Sequence, residues 1–432
     1  MAPKMAHKEG GWGYVVAFSA FLIHVLTCGV FYSAGVFHLN LKDHFKEDHF
    51  MTALISSPLL GLTAIAGILA TYVMYGIGYR FTVILGGILA GLGFGLSLLV
   101  EKYYQAVIGA VAVGVGFGLA LKASLAAISA YFYKQHGHIV NTVSIGATVG
   151  GFVFPIGLYF IHSEWSWEGT CMAMAVAGAL MVACGAVLEP NGPPPRKTRA
   201  FLTMFDCSLL RCASFWAILF SNLFWSLGAS MLYVHFPSYM NETGTSREDS
   251  IILVSGIGTA NFASRVMFVV FSHTDHFDHV TTCLCTVGLT AIITGLFKEL
   301  FKTYAGKIGY VIIFGFHSGF WTTFVSNFAE DVIGKPDIGY GRGFIALSIG
   351  LGFAGGGPLG GWIRDTEEDY EIAFYTAGAA LLAASLILAV ANCRKCYYFP
   401  RWRRTPPPSV DGSLKMRDQE PTGPVASLLS SV

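Results

Sequence analysis

Charged residues are scarce in this chain of 432 residues. They make up 12% of it, whereas an ordinary soluble domain contains roughly a quarter. This scarcity excludes a water-soluble globule. The formal net charge is only +1, which provides no overall basic surface and excludes nucleic acid as a partner. The chain is instead 54% hydrophobic with 51 glycines and a mean hydropathy of +0.58, a composition typical of closely packed membrane helices.

The chain also offers little for catalysis or metal binding. Its nine cysteines include four inside apolar stretches, and their positions indicate neither a disulfide framework nor a metal site. Histidines and aspartates are dense at 273–279, in a short polar loop where a solvated turn is favoured over a metal site. We therefore expect no enzyme, no cofactor and no bound metal.

Twelve apolar windows are long enough to cross a membrane as helices, for which about 20 residues are needed. The windows predict an all-α membrane protein of twelve transmembrane helices. Their approximate limits are 12–37, 52–75, 80–100, 103–133, 138–161, 168–188, 214–237, 249–272, 279–297, 306–328, 341–363 and 371–393.

A proline-rich basic segment, 191–211, divides six windows from six. Seventeen basic residues fall on the side of the two termini and eight on the other, which predicts that the termini and this linker are cytoplasmic. Six-plus-six spans are typical of secondary transporters. The expected parts are a cytoplasmic N-terminus (1–11), an N-terminal bundle (12–189), a cytoplasmic linker (190–213), a C-terminal bundle (214–393) and a disordered cytoplasmic tail (394–432).

Two short motifs identify a family. EGGWGY at 9–14 resembles the first signature of the monocarboxylate transporters, solute carrier family 16, with only Tyr14 departing from it. YFYK at 131–134, followed by Gly146 and Gly150, resembles the second signature. Segments 220–240 and 255–265 are also similar to family segments. The resemblance implies the major facilitator fold, with two six-helix bundles around a central cavity, and transport of small organic acids. The residues themselves predict that Gly146 and Gly150 let a neighbouring helix approach closely.

Arg265 stands inside the eighth window, where a guanidinium is costly unless it faces a cavity or a partner. Its fork can hold a carboxylate through two hydrogen bonds, and snorkelling to the interface is the alternative. The resemblance implies that this arginine grips substrate. In the family's proton-coupled lactate carriers an aspartate stands one turn earlier and a lysine stands in the first span, whereas this chain has Asn261 and Tyr32. An amide cannot titrate, so proton coupling is not carried over.

Lys122 lies some twelve residues from Lys134, which predicts a position near the middle of the bilayer. A buried lysine pairs with an anion or loses its proton. We expect it to line the cavity and attract a negatively charged substrate.

The tenth window carries residues where the family places its pocket. Ser318 and Thr322 are one turn apart and can share a face, as are His317 and Trp321. Ser318 replaces an aromatic residue of the lactate carriers, which indicates a more polar pocket. His317 is a candidate for proton coupling, with hydrogen-bonded packing as the alternative.

The C-terminal segment suggests partners. Five basic residues at 394–404 follow the last window and would attract anionic membrane lipids. The end, Ser430-Ser431-Val432, could add a strand to a PDZ domain. The family resemblance adds a possible single-span ancillary protein.

These observations predict a multi-pass plasma-membrane carrier that moves a small monocarboxylate or related organic anion by alternating access, as a symporter or a facilitator. A carrier of an amino-acid-like or neutral metabolite without proton coupling is an alternative. A substrate sensor that has lost transport is another.

Overall fold

The computed structural model describes residues 11–100, 102–132, 135–189, 207–271, 279–333 and 338–395, and it is helical throughout these ranges apart from short turns. Single 3₁₀ turns at Ser97–Leu99 and Cys207–Arg211 accompany the helices. The helices are α1 (Trp12–Tyr32), α2 (Ala34–Phe45), α3 (His49–Leu96), α4 (Tyr103–Tyr131), α5 (His136–Val187), α6 (Ala213–Glu242), α7 (Arg247–Phe271), α8 (His279–Gly295), α9 (Phe297–Leu300), α10 (Tyr304–Ile333), α11 (Ile338–Glu367) and α12 (Glu371–Lys395).

Within the described ranges, nine helices are long and apolar enough to cross a membrane, and Thr281–Gly295 is a shorter apolar helix. The 48 residues of α3 would extend about 72 Å as one straight helix, more than twice the hydrocarbon thickness. The backbone of α3 leaves the helical region at Gly78, with φ of 81°. That of α5 does so at Trp165 and Ser166. With α3 and α5 each folded back as two spans, and with the shorter helix included, the chain accommodates the twelve predicted spans.

The first predicted window differs most from the structure. We expected one span over 12–37, but the helix is interrupted at Ser33 and continues as α2 to Phe45. The hydroxyl of Ser33 donates to the carbonyl of Gly29 at 2.7 Å, which satisfies a backbone group at the interruption. Hydropathy alone underestimates this span, because the residues of α2 are buried against neighbouring helices rather than lipid.

Close helix packing depends on the predicted glycines. A Cβ atom at Gly150 would lie 2.3 Å from the carbonyl oxygen of Val25, and one at Gly146 would lie 2.5 Å from that of Phe21. The prediction that these glycines admit a neighbouring helix is therefore confirmed, and the neighbour is α1. A side chain at either position would force α1 and α5 apart.

The two family motifs pack against each other at the start of α1. The rings of Tyr14 and Phe132 lie 5.6 Å apart, and Gly13 packs against the Phe132 ring. The indole of Trp12 donates to the carbonyl of Val187 at 3.2 Å. The motifs thus fasten the start of α1 to the ends of α4 and α5. We call this side of the membrane protein, which also carries the end of α12, the terminal face.

At the other side, the opposite face, residues 11–189 (the first half) are tied to residues 207–395 (the second half). Arg247 donates to the carboxylate of Asp43 at 2.5 Å and to Asn40 at 3.0 Å. Asp365 accepts the backbone N–H of His49 at 3.2 Å. These contacts hold the opposite face closed.

Candidate functional site

Arg265 lies six residues before the end of α7, with a half-buried side chain between the two halves. Its Nε donates to the Oδ1 atom of Asn261 at 3.0 Å, and one terminal nitrogen donates to the hydroxyl of Thr322 at 3.2 Å. The other terminal nitrogen contacts the backbone carbonyl of Ser144 in α5 at 3.4 Å. All three partners are neutral, and within the described residues Arg265 forms no ion pair. The guanidinium therefore has hydrogen-bond partners but no counter-charge.

Asn261 connects this arginine to two other helices, α1 and α10. Its side chain is fully buried, and its amide nitrogen donates to the hydroxyl of Ser318 at 3.0 Å and to that of Tyr32 at 3.4 Å. The Tyr32 hydroxyl is also within hydrogen-bonding reach of Arg265. Five residues predicted from the sequence thus form one polar network, which we call the arginine network: Tyr32, Asn261, Arg265, Ser318 and Thr322.

The approach of α10 to α7 makes this network possible. A Cβ atom at Gly319 would lie 2.6 Å from the backbone oxygen of Asn261, so only glycine allows the helices to come this close. Ser318 and Thr322 flank this contact, one turn apart as the spacing predicted.

Two further residues close to Arg265 belong to neither family motif. His24 and Cys28 both experience the positive charge of Arg265, as Tyr32 does. The three side chains follow one another at intervals of four residues along α1, which places them on one helix face. This spacing was visible in the sequence, but no motif distinguished it from ordinary packing.

His317 and Trp321 make their described contacts outside the arginine network. The indole N–H of Trp225 donates to the Nε2 atom of His317 at 2.8 Å. Trp321 stacks on the same indole with ring centroids 5.3 Å apart, and both side chains are almost completely buried. The structure thus places both residues against Trp225 of α6, the arrangement expected of hydrogen-bonded packing.

Lys122 lies nine residues before the end of α4, about 14 Å from that end at the helical rise. It is half-buried, and among the described residues it has no hydrogen-bonded or ion-paired partner. Arg342, near the start of α11, is close enough for like-charge repulsion. The structure gives no contact between Lys122 and the arginine network, so the two predicted cations are separate features.

Two aromatic pairs, one of which includes Tyr32 of the arginine network, lie between the rest of the network and the opposite face. Tyr32 packs edge-on against Tyr233 with centroids 5.5 Å apart, and Phe31 packs against Phe353 at 4.9 Å. These pairs join α1 to α6 and α11, and all except Phe31 are buried. Towards the terminal face, Thr322 is exposed. The network is therefore closed on one side and accessible from the other.

Several predicted features lie outside the described residues. They are Lys134, the linker residues 190–206, the polar loop 272–278 and the tail 396–432 with Ser430–Val432.

The sequence matches the model of the Major Facilitator Superfamily over residues 18–339. It is 24% identical to monocarboxylate transporter 12-B of Danio rerio over 424 residues, covering 90% of this chain and 89% of that protein. It is 25% identical to monocarboxylate transporter 13 of Bos taurus, covering 93% of this chain and 94% of that protein.

The fold is similar to that of the nucleoside transporter NupG, with a TM-score of 0.71 at 12% identity, covering 87% of this chain and 99% of that one. The helices, the two motifs and these similarities all lead to the same family. The protein is a membrane transporter and not an enzyme. The chain belongs to the Major Facilitator Superfamily, as a divergent member of its monocarboxylate transporter family.

Proposed function

We propose that this protein carries a small monocarboxylate across the plasma membrane by alternating access, and that Arg265 binds the carboxylate. The observation that supports this most is the guanidinium held between the two halves by neutral partners alone. A cation in a membrane interior is costly without an anion nearby. A substrate carboxylate would supply that anion.

The geometry of the donors supports the same substrate class. A guanidinium has five N–H groups. Asn261, Ser144 and Thr322 engage three of them, which leaves one N–H on each terminal nitrogen, and a ligand that takes both displaces the Tyr32 hydroxyl. Two parallel N–H groups match the two oxygens of a carboxylate, which a lysine ammonium cannot reproduce.

We further propose that proton movement is not coupled at position 261. The amide of Asn261 cannot titrate, and it occupies the place where the lactate carriers have an aspartate. The contact of His317 with Trp225 argues against a histidine substitute, because that nitrogen already accepts a hydrogen bond.

Lys122 is proposed as a second cation that draws the anion in from the terminal face, since its ammonium is half-buried and has no partner among the described residues. We infer from the basic-residue bias that the terminal face is cytoplasmic. The division into two bundles at 190–213 belongs to the same proposal.

Uptake into proteoliposomes tests this function. The purified protein is given a panel of radiolabelled monocarboxylates, amino acids and neutral metabolites, with and without a pH gradient. We expect saturable uptake of a monocarboxylate that the gradient does not drive. Arg265→Gln should abolish it, whereas Arg211→Gln, at an exposed arginine, should not. Uptake confined to neutral solutes, or no uptake of any solute, would contradict the proposal.

A further inference from the structure

Three histidines meet at the opposite face, away from the arginine network. His38 comes from α2, His49 begins α3, and His235 comes from α6. Each is buried, and each places a ring nitrogen within 4.8 Å of those of the other two. Their positions in the sequence gave no sign of this, because the three are brought together only by the contact between α2, α3 and α6.

Hydrogen bonds fix the proton positions on two of the rings. The Nε2 atom of His235 lies 2.7 Å from the carbonyl oxygen of Gly357, so this nitrogen carries the proton. The lone pair of Nδ1 accepts from the Tyr370 hydroxyl at 3.3 Å, a long hydrogen bond that a bound ion would replace. The Nε2 atom of His49 accepts a hydrogen bond from the ammonium of Lys42, so its Nδ1 carries the proton. That Nδ1–H donates to the hydroxyl of Tyr370 at 2.6 Å.

This arrangement is the one that metal-binding histidines use. One ring nitrogen binds the ion, and the other donates its hydrogen to a carbonyl or a similar oxygen, which holds the ring in place. Gly357 and Tyr370 supply these oxygens for His235 and His49. The lone pair of His49 already faces a cation, the Lys42 ammonium.

His38 supplies an independent observation. Its side chain is completely buried, and neither of its two ring nitrogens has a hydrogen-bond partner. A buried polar group without a hydrogen-bond partner destabilises the folded protein. Its ring packs 4.9 Å from that of His235, so an ion between the histidines would satisfy this nitrogen.

We propose that His38, His49 and His235 bind one divalent transition-metal ion of the Zn²⁺ type, and that this ion holds the two halves together at the opposite face. Imidazole nitrogens suit Zn²⁺, which commonly takes three protein ligands and a water. Neutral imidazoles bind it without releasing a proton. Tetrahedral Zn²⁺ needs ligand nitrogens about 3.4 Å apart. The histidine nitrogens lie within 4.8 Å of one another, so side-chain movements of about 1 Å complete the site.

Lys42 must move away when the ion binds. Its side chain is half-exposed and can turn towards solvent. The lysine therefore competes with the ion but does not exclude it.

The origin of the ligands gives the site a consequence for transport. His38 and His49 belong to the first half and His235 to the second, beside the ion pair of Asp43 and Arg247. Alternating access requires the two halves to separate at this face. A bound ion therefore favours the closed state and slows transport.

Metal binding by the purified full-length protein tests the site without any transport assay. After removal of metal with a chelator, Zn²⁺ is titrated by calorimetry, and Co²⁺ is added to record its visible spectrum. We expect one ion per chain. His38→Ala should weaken binding by about tenfold or more. His44→Ala is the matched control, because His44 is an exposed histidine on the same helix, and it should bind as the wild type does.

A melting curve for each variant identifies a loss caused by misfolding, and His38→Gln, which preserves side-chain bulk, is measured beside His38→Ala. Equal binding by folded His38 variants and the wild type would overturn the site. His235→Gln then tests the bridge between the halves. Weakened binding together with loss of Zn²⁺ inhibition of uptake is expected, and unchanged Zn²⁺ affinity in this variant would overturn the bridge.

Discussion

Replacing Asn261 by aspartate exchanges one side-chain NH2 group for a carboxylate oxygen at the centre of the arginine network. The Oδ1 atom of Asn261 already lies 3.0 Å from the Nε of Arg265, so the introduced carboxylate forms an ion pair without moving the backbone. The hydroxyls of Ser318 and Tyr32, which now accept from the amide, can rotate and donate instead. We therefore expect Asn261→Asp to fold and to reach the membrane.

The introduced charge neutralises the arginine before substrate arrives. A charge-assisted hydrogen bond contributes about 1.5–3 kcal/mol, and losing it lowers the affinity for a carboxylate about 10- to 150-fold. Acid reverses the effect, because protonation of the introduced carboxyl restores the free guanidinium. Uptake by Asn261→Asp should thus be weak at neutral pH and rise as the pH falls, whereas wild-type uptake should vary little.

The assay is initial-rate uptake into proteoliposomes at a series of substrate concentrations and pH values. Asn261→Ser is the matched control, since it removes the amide without adding a charge, and its uptake should not acquire the acid stimulation. A strongly pH-dependent wild type, or an Asn261→Asp variant with unchanged affinity at neutral pH, would refute the reasoning.

Three further predictions concern Lys122, the packing at Gly150 and the orientation in the membrane. Lys122→Gln should raise the apparent substrate constant for uptake severalfold, with normal surface expression as judged by biotinylation. Lys122→Arg should retain part of the function. An unchanged substrate constant in Lys122→Gln would reject Lys122 as a substrate contact. Gly150→Val should lower the melting temperature markedly, because its Cβ would lie 2.3 Å from a carbonyl of α1, whereas Gly157→Ala, with open space around it, should not. An epitope inserted at 241–249 should be labelled on intact cells and one at 196–199 should not, and the reverse pattern would overturn the proposed orientation.

The sequence predicts those features that depend on local spacing. Twelve hydrophobic windows are enough to predict the spans, since backbone groups in a membrane must be paired within helices. Arg265 and Asn261 are one turn apart on the same helix, so their contact also follows from the helical period.

Other features depend on which helices pack together, and local spacing does not contain that information. His317 is one residue from Ser318, but Trp225 on a different helix holds it outside the arginine network. His38, His49 and His235 come from three helices, and only the closed opposite face unites them. Hydropathy likewise missed α2, because burial against protein rather than lipid stabilises its polar residues.

The claim that Arg265 binds a carboxylate is tested most directly by comparing one substrate with its uncharged amide. The monocarboxylate with the highest uptake and its carboxamide, which has nearly the same shape, compete against the labelled substrate in the wild type and in Arg265→Gln. We predict that the wild type prefers the carboxylate by about tenfold or more and that the variant loses this preference. A preference of equal size in both proteins would contradict the account, because the discriminating charge would then lie elsewhere.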